Sequence, residues 1–108
     1  MMKHTYTLAA LLLTAMSGAA QADEAAQLAR GKTLFTTATP ACALCHTLKD
    51  AGTEGAIGPV LDELQPDAAR VARALKDGIG AMPSFKATMS EADIAAVALY
   101  VSQASRAK

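Results

Sequence analysis

Three stretches of the chain carry apolar residues at helical spacing, separated by runs rich in glycine, proline and threonine. Over residues 24–36, Leu28, Leu34 and Phe35 lie on or near one face, with Ala25 and Gly31 among them. That spacing predicts a first helix. Gly31 costs such a helix about 1 kcal/mol relative to alanine, and such a glycine often marks a close contact with another backbone, a tolerated defect being the other reading. Phe35, four residues on, shares its face. Thr36 to Pro40 ends the helix. A second helix is predicted from Pro66-Asp67 to about Asp77, with Ala68, Val71, Ala74 and Leu75 as its apolar stripe. Arg70, Arg73, Lys76 and Asp77 are expected to face water, and Gly78 to cap the end. The last helix is predicted from Glu91 to about Gln103, burying Ile94, Val97, Ala98, Val101 and Tyr100. Ser90 reads as its N-cap, with Asp93 where a capping partner belongs, and Met89 and Ile94 as a hydrophobic staple. Ala95, Ala96 and Ala98 permit a tight crossing, for which Gly31 and Phe35 are the natural partners. The residues from Ala104 on are expected to fray.

Between these helices the chain is irregular. Ala51 to Gly58 is glycine-rich and leads into Gly58-Pro59-Val60-Leu61; Val60, Leu61 and Leu64 are expected to wall the core or a cofactor. Gly78 to Phe85 is a second loop and contains Met82-Pro83.

The beginning of the chain has a different pattern. Lys3 and His4 give a short basic start, Leu8 to Ala15 is apolar, and Ala20-Gln21-Ala22 has the form of a cleavage site. Residues 1–22 therefore read as an export signal, with residues 23–108 as one domain. The apolar run stops short of the ~20 residues that span a membrane, so no stable insertion is expected after cleavage. A domain of this size buries little apolar surface and usually needs a disulfide, a metal or a cofactor as a staple. Ten basic and ten acidic residues balance in the full chain. No basic stripe points to nucleic acid, and partner binding is expected to depend weakly on salt.

The chemistry converges on Cys42-Ala43-Leu44-Cys45-His46. C-x-x-C-H is the arrangement of covalent haem c attachment. Each thiol can add to one vinyl group of the porphyrin, and His46 is then placed to give the iron one axial nitrogen. A redox disulfide would want a βαβ neighbourhood, and structural zinc would want four ligands. Neither is visible, and a plain structural disulfide is the alternative that stays open. An axial histidine usually gives its second ring N–H to a carbonyl or carboxylate. Pro59 is a candidate acceptor, an ordinary turn proline being the other reading. After Ala22 the only methionines are Met82 and Met89. Met89 is accounted for by the staple, which leaves Met82 as candidate for the second axial position, against a gap-filling core role.

Gly31 and Phe35, Cys42-Ala43-Leu44-Cys45-His46, Gly58-Pro59, Met82-Pro83 and Tyr100 together resemble the class I bacterial cytochromes c, over essentially the whole of residues 23–108. The resemblance implies an all-α cytochrome c fold, three to four helices around one covalently bound haem, with the first and last helices crossing at Gly31 and Tyr100. It implies Cys42 and Cys45 as haem attachments, His46 and Met82 as axial ligands, and the Pro59 carbonyl as acceptor of the His46 proton. It further implies a periplasmic one-electron carrier between a periplasmic dehydrogenase and a terminal acceptor such as an oxidase, with no bond chemistry of its own. The family often places a tryptophan or tyrosine at a haem propionate. This chain has no tryptophan, and Ser84 and Lys86 stand as candidates instead. The run from Gly58 to Arg70 is similar to the small cytochromes found beside bacterial sulfite dehydrogenases, which implies a molybdenum enzyme as electron donor. A haem sensor or enzyme with a labile Met82, and a haem-free disulfide protein, are the rival readings.

Overall fold

A computed structural model describes the backbone of residues 3–107 and the side chains of residues 18–107. The side chains of the apolar run Leu8–Ala15 lie outside the described residues. Helix α1 spans Lys3–Thr37 and α2 Cys42–Cys45. Strands β1 (Thr47–Leu48) and β2 (Thr53–Glu54) follow, then helices α3 (Leu61–Leu64), α4 (Ala68–Asp77) and α5 (Glu91–Ala104). Among the described residues no helix is long and apolar enough to cross a membrane.

Helix α1 starts well before the expected residue 24. Ala19, Ala20, Ala22, Ala25 and Ala26 favour helix, and no proline interrupts them, so nothing local stops the helix there. Ala25 is exposed rather than part of the buried face.

The packing is governed by α1 against α5. A Cβ built on Gly31 would collide with the Ala96 carbonyl oxygen and sit 2.6 Å from Tyr100 Cβ. The backbones approach closely because Gly31 has no side chain. One turn later Phe35 meets Tyr100 edge to face, with centroids 6.1 Å apart and planes at 65°. Arg30 grips both carboxylate oxygens of Asp93 at 3.2 Å from the rim of this contact. Asp93 is thus spent on α1. The Ser90 side chain still caps α5, accepting from Asp93 N at 3.1 Å. Met89 and Ile94 are both buried, as a staple requires. Helix α5 buries residues almost all round, because α1 covers one side and α4 another.

Helix α4 is capped by the Asp67 side chain, which accepts from Arg70 N at 2.7 Å. Gly78 ends it with φ +71°. Arg106, from beyond α5, donates to the carbonyls of Gln65 and Pro66 at 2.7 and 3.0 Å, fixing the entry to α4. The expected fraying after Ala104 is therefore not what the structure has at Arg106.

The fold is helix-rich with one small exception. β1 and β2 pair antiparallel, Thr47 opposite Glu54 and Leu48 opposite Thr53, around a 3-10 turn over Lys49–Ala51. Gly52 turns the chain with φ +67°. The turn delivers Asp50 to Tyr100, whose hydroxyl donates to Asp50 Oδ2 at 2.6 Å. That hydrogen bond, with Lys32 at 3.5 Å, holds the Asp50 carboxyl below its ordinary range. Burial and the Asp50 carboxylate push the Tyr100 hydroxyl well above the usual tyrosine range.

Candidate functional site

Between α1, α4, α5 and the loops lies a cavity of about 560 Å³. Its walls include Cys42, Cys45, His46, Pro59 and Met82. Residues up to 40 positions apart in sequence thus share one space. The floor is apolar: Phe35, Leu61, Leu75, Val97 and Val101 all reach it. These side chains read in sequence as core, and they are core that a guest of the cavity would touch. Leu64 also lines it, whereas Val60 is half-buried, precedes α3 and does not.

Helix α2 is one turn, closed by His46 N donating to Cys42 O at 2.9 Å. One turn brings residues three apart to the same side, so Cys42 and Cys45 both open on the cavity. The two cysteines are free thiols. Burial pushes the Cys42 thiol up to about 11, opposite to the lowered value of a reactive redox cysteine.

The loop after β2 wraps the motif. Gly58 N donates to Cys45 O at 2.7 Å. A Cβ on Gly58 would lie 2.5 Å from His46 Cε1, so only glycine leaves room for the ring. With the ring so placed, His46 Nδ1 stands 2.7 Å from the Pro59 carbonyl oxygen. The carbonyl can only accept, so Nδ1 carries a proton, and Nε2 is the nitrogen left to bind a metal in the neutral ring. Gly55 is equally constrained, since a Cβ there would come within 2.7 Å of His46 N.

Met82 is held by a tight turn. Ile79 N donates to Met82 O at 3.0 Å and Met82 N to Ile79 O at 2.9 Å. Gly80, at φ +56°, supplies the left-handed residue that the turn needs. Phe85, buried, ties the far end back to α4 through its N–H on Leu75 O at 2.7 Å. The half-buried Met82 thus reaches the cavity from a loop fixed at both ends.

Ser84 and Lys86 do not line the cavity. The Ser84 hydroxyl donates to the Lys76 carbonyl instead, and the Tyr100 hydroxyl is committed to Asp50. Arg70 and Arg73 are exposed, as the stripe of α4 predicts, and they also border the cavity. Ile57 and Ile79, 76% and 70% exposed, stand at its rim; no periodicity in the loops singled them out.

The family described as cytochrome C oxidase, cbb3-type, subunit III matches residues 26–101. Among solved structures, the c-type cytochrome SorU from Sinorhizobium meliloti is similar, at 50% sequence identity and a TM-score of 0.71. That match covers 73% of this chain and 91% of SorU. No curated protein matches the chain.

Proposed function

This chain belongs to the c-type cytochromes, and on that premise we propose that it is an exported monohaem electron carrier that accepts electrons from a periplasmic sulfite dehydrogenase and delivers them to a terminal acceptor. Family membership implies one covalently bound haem c. The donor set of the cavity fits that group: two thiols one turn apart, an imidazole with a free Nε2, a thioether, and an apolar floor. When bound, haem c supplies one-electron chemistry, its iron passing between ferric and ferrous states.

The chain's own residues have separable tasks. Cys42 and Cys45 hold the group through thioether bonds. His46 and Met82 would hold its iron, one through a nitrogen and the other through a sulfur. The Pro59 carbonyl accepts the Nδ1 proton, which fixes the ring and strengthens Nε2 as a donor. Phe35, Leu75, Val97 and Val101 exclude water from the floor. A nitrogen and a sulfur both supplied by the protein would suit a one-electron carrier.

The observation that carries this reading is the meeting of Cys42, Cys45, His46 and Met82 around one apolar cavity. The choice of donor is supported by the similarity of Gly58 to Arg70 to cytochromes beside sulfite dehydrogenases, and export by the pattern of residues 1–22. The rim adds a property of the partner surface. Ile57 and Ile79 are exposed and apolar, and the net charge is near zero. Docking therefore draws on apolar contact more than on charge.

Stopped-flow mixing with a sulfite-reduced sulfite dehydrogenase tests the reading. The expected result is rapid reduction of the protein, with a rate that changes less than about threefold between 50 and 300 mM salt, as weak steering requires. No reduction by that enzyme would remove it as the donor. A steep fall with salt would overturn the apolar docking surface.

A further inference from the structure

Attachment and axial ligation leave three charged residues of the cavity unused. Arg70 and Arg73 stand one turn apart on α4 and both border it, with one carboxylate, Asp77, further along the same helix. The cavity edge formed by α4 thus carries two positive charges against one negative. The remaining arginines have partners. Arg30 holds Asp93, and Arg106 donates to main-chain carbonyls. Among the described residues, the guanidinium groups of Arg70 and Arg73 make no ion pair and no hydrogen bond, although Asp77 stands four residues beyond Arg73 on the same helix. Of the four arginines, the two without partners are the two beside the cavity, both exposed.

We propose that Arg70 and Arg73 are positioning residues that bind the two propionate carboxylates of haem c, their N–H groups donating and the carboxylate oxygens accepting. This rests on the reading of the cavity as the haem c site. A guanidinium presents a planar fork that matches a carboxylate, so arginine suits this task better than lysine. The chain has no tryptophan, and its Tyr100 is committed to Asp50. Ser84 is committed to Lys76 O, and Lys86 is not at the cavity. Two positive charges at the propionates also disfavour the ferric state, whose iron centre carries one more positive charge.

The test uses the haem-loaded protein and the variants Arg70→Gln, Arg73→Gln, both together, Arg70→Lys, Arg73→Lys and Lys86→Gln. Two quantities are read: the midpoint potential by spectroelectrochemistry, and the propionate bending band by resonance Raman. Each glutamine variant is expected to lower the potential and shift the band, with the double variant shifting both most. The lysine variants keep the charge and most of the potential but still move the band. Lys86→Gln changes neither. If the double variant fails to load haem, the lysine variants decide, and an unmoved band in both overturns the proposal. An unchanged potential and band in a loaded double variant also overturns it, leaving haem binding itself intact. A native protein without covalent haem overturns both.

Discussion

Replacing Cys42 and Cys45 together by alanine is expected to give a colourless chain that does not fold cooperatively. The reason lies in what the cavity is made of. About 560 Å³ is bounded by Phe35, Leu61, Leu75, Val97 and Val101, which are the same side chains that form much of the core. Without the haem those side chains lose their packing partner and meet water, at about 25 cal/mol per Å² of apolar surface, in a domain whose total stability is typically only ~5–15 kcal/mol. The chain without its cofactor should keep part of its helix signal, lose its near-ultraviolet circular dichroism and bind hydrophobic dyes. Thermal melts followed by circular dichroism check this. A sharp, cooperative melt of the haem-free variant near that of the native protein would show that the staple is elsewhere.

Gly31→Val is the second large effect, and it acts far from the cofactor chemistry. The new Cβ would meet the Ala96 carbonyl oxygen and Tyr100 Cβ, both too rigid to move aside. The α1–α5 contact would have to open. Overpacking of this kind costs about 1–3 kcal/mol, and valine adds branched methyls at the tightest point. Against this, removing glycine from a helix gains less than about 1 kcal/mol. We expect a net loss of about 3 kcal/mol, lowering Tm by roughly 12–24 °C in a domain of this size. Calorimetry of the loaded protein measures it. Covalent haem should be retained, because Cys42 and Cys45 are not disturbed. A variant as stable as the native protein would mean that the helices pack elsewhere.

These expectations show which parts of the molecule local sequence could reveal. Helix α5 was legible because its signals are local: Ser90 caps Asp93, and Met89 and Ile94 both go under. Helix α4 was legible from its apolar stripe and from Gly78 at the exit, but it starts at Ala68, with Asp67 as its cap and not in its first turn. The motif and its partners, Pro59 and Met82, were legible as candidates because their chemistry is specific and few residues can supply it. The Tyr100–Asp50 bond was not legible, because it joins residues 50 positions apart through a turn of no distinctive pattern. Strands β1 and β2 have two residues each, too short for alternation to register. Arg70 and Arg73 are exposed, as a two-sided view of α4 expects, but that view could not show that they also border the cavity. In the structure a cavity edge lies between its apolar stripe and the solvent, and a polar residue there is neither core nor idle surface. The start of α1 was misplaced because the helical run of alanines gives no local stop.

The binding geometry also orders the importance of the glycines. Gly58 leaves room for the His46 ring and Gly80 makes the turn that carries Met82. Both sit next to proposed ligands, so the two axial atoms depend on backbone that no other residue could replace without strain or collision.

The most direct measurement is the absorption spectrum of the haem-loaded protein, oxidised and reduced, for the native chain and for Met82→Ala. The account predicts a covalent low-spin haem whose ferric form shows the methionine-to-iron charge-transfer band, with that band absent from Met82→Ala. A high-spin native spectrum, or a band that survives the substitution, would contradict ligation by His46 and Met82 and with it the assignment of this chain as a simple electron carrier.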